Sequence, residues 1–196
     1  MTKLIIILLS AVFINNYILS RFLGICPFLG VSKKLDSATG MSLAVIFVMM
    51  IATAVTWPIQ MFLLNPNELG YLQTIVFILV IAALVQLVEI VLKRYVPSLH
   101  KSLGVYLPLI TTNCAILGVT ILNIDEGYTF LEAMVNSLGS GLGFMLAMIM
   151  FSGVRSKLEG ADIPKSFKGL PITLVAASIT SLSFMGFGGV IENMFA

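Results

Sequence analysis

Apolar residues run almost unbroken along the chain, and short polar clusters divide them into six stretches. The stretches cover about 4–30, 38–63, 70–92, 102–123, 129–153 and 170–192, separated by SKKLDS, NPNE, KRYVPSLHK, NIDEG and RSKLEGADIPKSFKG. A helix needs roughly 20 mainly apolar residues to cross a bilayer. The pattern therefore predicts an all-α integral membrane protein with six spanning helices in a single domain, 1–196. Only the last connection has room for a small amphipathic piece, so a soluble domain fits nowhere. The opening MTKLIIILLSAVF has the Lys-then-apolar start of a signal peptide. Its apolar run continues past Asn15 and Asn16 to about Gly30 without a small-x-small cleavage site, so it reads as a retained span.

Composition agrees with the pattern. The chain is 59% apolar and 10% charged, where soluble domains carry about 25% charged residues. The net charge of +2 gives no sign of nucleic-acid binding; the placement of the charges says more. Connections one, three and five hold Lys33, Lys34, Lys93, Arg94, Lys101, Arg155, Lys157, Lys165 and Lys168. Connections two and four hold no Lys or Arg, only the acids Glu68, Asp125 and Glu126. Basic connections stay cytoplasmic, which predicts both termini on the outer face of the cytoplasmic membrane, with Lys3 the one exception.

The chain has two cysteines, Cys26 and Cys114, 88 residues apart, in CPFLGVS and CAILGVT. Each copy lies in the first span of a three-span half, about 1–98 and 99–196. Three is odd, so homologous halves must run in opposite directions. Such inverted repeats put equivalent positions near the membrane midplane. Pro27, with no N–H, is expected to break the first helix there. In the second copy Pro108 precedes the cysteine by six residues, and Thr111, Thr112 and Asn113 are able to cap the freed backbone. Irregular backbone at that depth is tolerated where protein or a cavity surrounds it. Two broken spans thus predict a buried site facing both cysteines.

The thiols admit three readings: small core residues, a disulfide pair, or half of a metal site. The number of ligands argues against a whole site in this chain, because zinc wants four ligands and iron–sulfur clusters four thiolates. The chain offers two Cys and one His, and His100 lies in a basic loop.

At these residues the sequence resembles a known family. NNYILSRFLGICPFLGVSKKLDSATGM, ILVIAALVQLVEIVLKRYVPSLHKSLGVYLPLITTNCAILGV and MGFGGV are similar to the A-type subunits of Rnf (Rsx) complexes, the ion-translocating ferredoxin:NAD oxidoreductases of bacterial and archaeal membranes. The E-type subunit of the sodium-translocating NADH:quinone oxidoreductase is a close relative of these. The resemblance covers essentially the whole chain. It implies a partner, a homologous E-type subunit inserted the opposite way up. It also implies that Cys26 and Cys114, with two cysteines of that partner, hold a [2Fe–2S] cluster in mid-membrane that carries electrons across, coupled to Na⁺ or H⁺ movement. Thr111, Thr112 and Asn113 then stand as candidate hydrogen-bond donors to cluster sulfurs. No flavin-attachment motif is present, so flavins are expected in other subunits only. The alternative is a secondary transporter, since carriers also combine inverted repeats with broken helices.

The remaining polar and small residues carry weaker signals. Arg21 either snorkels or neutralises freed carbonyls near the break. Glu89 is placed to pair with Lys93 four residues on, and Gln86 to bond between helices. GSGLG (139–143) is not a nucleotide loop, having no strand before it, and reads as a small-residue helix contact. GFGG (186–189) reads the same way.

Overall fold

The computed structural model describes residues 2–32, 35–66, 70–95 and 107–195, and all regular structure among them is helical. Helix α1 (Thr2–Leu9) runs on into a π-helical turn, Ser10–Ile14. After an irregular stretch, α2 spans Ile25–Val31. Helix α3 (Leu35–Ile59) also ends in a π turn, Gln60–Leu64, two residues after Pro58. A 3₁₀ turn, Gly70–Leu72, leads into α4 (Gln73–Tyr95). Then follow α5 (Leu107–Thr111), α6 (Cys114–Asp125), α7 (Phe130–Glu159) and α8 (Leu170–Phe195). His100, Lys101 and the KRYVPSLHK break beyond Tyr95 lie outside the described residues, as do Lys33 and Lys34.

Among the described residues, three segments are long and apolar enough to cross a bilayer: Leu35–Leu64, Gly70–Val91 and Phe130–Leu158. The apolar helices Lys3–Ile14 and Leu109–Asp125 are shorter, and α8 has described side chains over Leu170–Gly186. The first and fourth predicted spans are therefore not continuous helices of full length.

Helices α3 and α7 form the centre of the fold. Met41, Val45 and Met49 of α3 are fully buried, as are Phe144, Met148 and Phe151 of α7. Phe28 of α2 stacks on Phe151 with ring centroids 4.2 Å apart. Small residues let the neighbours approach, as expected for GSGLG. A Cβ on Gly141 would lie 2.7 Å from Ile46 of α3, and one on Gly139 2.9 Å from Ala11. One on Gly143 would lie 3.1 Å from the Val12 carbonyl oxygen. Glycines one turn apart thus face the first segment, while the one between them faces α3. Without water to satisfy exposed groups, such close backbone contact is a main source of helix association. Of GFGG only Gly186 has described surroundings, with nothing within 4 Å of its Cβ position; those of 187–189 lie outside the described residues.

The two ends of α7 mark the two ends of the bundle. At one end Glu132 pairs with Lys3 at 2.7 Å and closes a capping box with Thr129, whose N–H donates to the carboxylate at 3.0 Å. Trp57 Nε1 donates to the Tyr128 carbonyl nearby. At the other end Arg155 Nη1 donates to the Leu29 carbonyl (2.6 Å) and to Ser32 Oγ (3.0 Å), closing the C-terminus of α2. Glu132 and Arg155 are about 35 Å apart at 1.5 Å per residue, somewhat more than a hydrocarbon core of about 30 Å. The Lys3 charge, the exception to the predicted topology, is met by an acid at its own end.

Two expected interactions on α4 do not form among the described residues. No ion pair joins Glu89 and Lys93, and Gln86 is exposed with no interhelical bond. Exposed pairs one turn apart are worth a few tenths of a kcal/mol, too little to hold the side chains together. Helix α4 also leaves Leu79 and Ile90 each 67% exposed.

Candidate functional site

The first segment breaks well before Pro27. The π turn closes through Asn15, whose N–H donates to the Ser10 carbonyl at 2.8 Å. Asn16, fully buried, then takes over the freed backbone. Its Nδ2 donates to the Val12 carbonyl (3.2 Å) and the Gly143 carbonyl (2.9 Å). Its Oδ1 accepts from the N–H groups of Ile18 (3.1 Å) and Leu19 (3.2 Å). A carboxamide can replace peptide groups on both sides of a gap because it donates and accepts. Irregular backbone is tolerated here because protein surrounds it. Pro27 instead sits in the first turn of α2, where N–H groups have no intrahelical acceptor and a missing one costs nothing.

The stretch ends in two left-handed residues, Phe22 (φ 58°) and Gly24 (φ 86°). At Gly24 the lack of a Cβ is needed twice, for the positive φ and for space. An added Cβ would lie 3.0 Å from Phe144 Cε2, 3.1 Å from Ala115 Cβ and 3.3 Å from Asn113 Oδ1. The Gly24 carbonyl accepts the first bond of α2, from the Phe28 N–H. Its own N–H donates to Cys114 Sγ at 2.9 Å. Leu23, the residue before it, packs against Gly118 of α6.

In the second copy the break is shorter. Helix α5, with Pro108 in its first turn, ends at Thr111, and α6 begins at Cys114. Asn113 is the N-cap, as expected: its Oδ1 accepts from the Ala115 N–H at 3.0 Å. Asn113 is 3% exposed, and its Nδ2 is buried with no partner among the described residues. Thr111 is half-buried and Thr112 exposed.

The interrupted segments therefore meet. Cys114 opens α6, Cys26 is the second residue of α2, and Gly24 bonds to Cys114 only two residues before Cys26. Two residues span at most about 7 Å of chain, so the Cys26 backbone lies close to the bonded Gly24. Both cysteines are free thiols and both are exposed. They are neither buried core residues nor a disulfide pair. Among the described residues no group of three or more His, Cys, Asp or Glu side chains gathers. Beside Cys26 a cavity of about 860 Å³ opens toward the basic end of the bundle, lined also by Leu29, Arg155, Leu158, Lys168 and Thr173. Arg21 is exposed, and Asn16 is the side chain that donates to the Val12 and Gly143 carbonyls.

Sequence reasoning does not reach the Asn16 hub, the Gly24 donor or the Arg155 clamp. Asn16 carries a usable signal, a polar side chain inside an apolar span. Gly24 carries none, because one glycine in an apolar run does not announce a positive φ.

The family described as "Rnf-Nqr subunit, membrane protein" matches residues 4–191. The chain is 56% identical over 187 residues to the A-type subunit of the Na(+)-translocating ferredoxin:NAD(+) oxidoreductase complex of Acetobacterium woodii, covering 95% of this chain and 97% of that protein. It is 51% and 50% identical over 193 residues to the A-type subunits of the ion-translocating oxidoreductase complexes of Syntrophotalea carbinolica and an Azoarcus species, covering 98% of this chain and 100% of each relative. With thiols on two interrupted apolar segments and near full-length identity of this order, the chain belongs to the Rnf-Nqr family of membrane proteins.

Proposed function

We propose that this chain is the A-type membrane subunit of an Rnf complex, a redox-driven Na⁺ or H⁺ pump. In this reading it carries electrons across the cytoplasmic membrane through a [2Fe–2S] cluster shared with a homologous, oppositely oriented subunit. The observation that carries it is the hydrogen bond from Gly24 to Cys114 Sγ, which joins the segment bearing Cys26 to the segment bearing Cys114.

The residues present fit half of such a site. A [2Fe–2S] cluster is held by four thiolates; this chain brings two, both exposed to a partner. The buried, unpartnered Asn113 Nδ2 beside Cys114 suits a sulfur acceptor arriving from outside the chain. When bound, the cluster supplies one-electron transfer. Cys26 and Cys114 act as thiolate ligands, each in the first turn of a helix, where backbone N–H groups favour negative charge. Gly24 fixes the direction of the Cys114 sulfur. The family relatives are oxidoreductase-complex subunits by name, which supports the redox reading over a solute carrier.

The six spans, the repeats 1–98 and 99–196 and the outer termini belong to the same proposal. The Lys3–Glu132 pair supports the topology by setting the chain start beside the acidic connection at 125–129. Flavins are assigned to other subunits.

Thiol chemistry tests the shared site. In the detergent-solubilised chain purified alone, N-ethylmaleimide should modify both cysteines. In the intact complex both should be protected, and anaerobic removal of iron with a chelator under reducing conditions should restore the reaction. Equal modification of the intact complex and the lone chain would contradict the proposal.

A further inference from the structure

We infer that the Asn113 carboxamide is a positioning residue for the cluster, donating from Nδ2 to a cluster sulfur beside Cys114, and that with the Gly24 N–H it raises the redox potential. The inference rests on the shared-cluster reading proposed above and names which atoms of this chain tune it.

Three buried side-chain N or O atoms lack a partner among the described residues: Gln60 Oε1, Gln73 Nε2 and Asn113 Nδ2. Only the last adjoins a cysteine. Leaving a buried donor unpaired costs about 1–3 kcal/mol, so a conformation that keeps one needs a compensating acceptor. Asn113 cannot turn its amide elsewhere cheaply. Its Oδ1 is held by the Ala115 N–H and sits 3.3 Å from the Cβ position of Gly24, while the whole residue is 3% exposed. The carbonyl end of the side chain is used to start α6, and the amino end is left for a group the chain does not itself contain. The group expected beside Cys114 is a sulfur-rich anion, an acceptor of the right chemistry.

The second donor is already engaged. Gly24 N–H reaches Cys114 Sγ at 2.9 Å, whereas among the described residues no hydrogen bond reaches Cys26 Sγ. Of the two sulfurs, the one that accepts a bond within the chain is that of Cys114, the cysteine next to Asn113. Hydrogen bonds to cluster sulfurs withdraw charge and favour the reduced form, one of the levers that set cluster potentials. In a low-dielectric interior each such bond acts more strongly than in water. A cluster in mid-membrane, far from solvent, depends on such donors to stabilise an added electron.

The test uses the complex, or the co-purified pair of subunits, and an EPR-monitored redox titration. Asn113→Ser keeps a competent N-cap oxygen and removes both Nδ2 donors. The cluster signal should survive with a lower midpoint. At the wild-type midpoint the oxidised-to-reduced ratio should rise about tenfold, or about 59 mV for a one-electron couple. A wild-type midpoint in a variant with an intact signal would overturn the inference. Wild-type protein labelled with ¹⁵N in asparagine side chains gives a second measurement that needs no variant. Its pulsed-EPR spectrum should show a ¹⁵N coupling to the reduced cluster, and absence of that coupling would equally overturn the inference. A wild-type pair with no cluster signal at all would remove the shared-cluster reading itself, a different failure.

Discussion

Changing either Cys26 or Cys114 to serine should abolish electron transfer across the membrane while leaving the chain folded and assembled. Both side chains are exposed, and neither fills a core position, so removal of the sulfur opens no cavity. The Gly24 N–H bond to Cys114 is worth about 0.5–1.5 kcal/mol, and a serine hydroxyl at the same place can accept it. Stability should therefore change by about 1 kcal/mol or less in Cys114→Ser and hardly at all in Cys26→Ser. Function should behave otherwise. Residues that merely support a metal ligand already cost about 10–100-fold when removed, and a ligand itself should cost more than about 100-fold. The measurement is ferredoxin-dependent NAD⁺ reduction in vesicles, with complex assembly followed by co-purification. Wild-type rates in either assembled variant would show that its thiol is not on the electron path.

Gly24→Ala should show the opposite balance, a loss of stability that carries function down with it. Left-handed backbone costs an L-residue about 1–2 kcal/mol. The new methyl group would meet the Phe144 ring at 3.0 Å and Ala115 Cβ at 3.1 Å, both on residues with no exposure. Overpacking of this kind adds about 1–3 kcal/mol. Together these come to about 2–5 kcal/mol, enough for a fall of about 5–15 °C in melting temperature in a chain this size. Relief by moving the 22–24 stretch would pull the Gly24 N–H from Cys114 and misplace Cys26. Gly127 provides the control, since it too has a positive φ (65°) but nothing within 4 Å. Gly127→Ala should cost only the backbone component. Equal melting temperatures for the two variants would mean that the surroundings of Gly24 yield freely.

What is legible in the sequence follows from how local each signal is. The membrane class rests on composition, which no tertiary detail can reverse. The helix contact at Gly139–Gly143 is legible because small residues one turn apart leave the same groove wherever the helix packs. Asn113 is legible as a cap because Asn immediately before a helical run accepts from the backbone N–H two residues on. The break in the first segment is not where Pro27, the residue with the strongest local rule, would put it, since that rule applies only inside a helix. The actual break depends on Gly143, 127 residues from Asn16, whose carbonyl completes the asparagine's bonds. A long-range partner of that kind leaves no local trace. Arg155 looks like one of several basic loop residues for the same reason: its acceptors are Leu29 of α2 and Ser32 just beyond it. The Glu89–Lys93 pair errs in the other direction, because correct spacing on an exposed helix supplies too little energy to fix a contact.

The cluster is proposed to be shared between two chains. Its most direct test is iron and acid-labile sulfide analysis, with EPR of the dithionite-reduced sample, on this chain co-purified with its oppositely oriented homologue. The expected result is about two irons and two sulfides per pair, a rhombic [2Fe–2S] signal, and disappearance of both on Cys26→Ser or Cys114→Ser. An iron-free wild-type pair that still transfers electrons, or a signal that survives both substitutions, would contradict it.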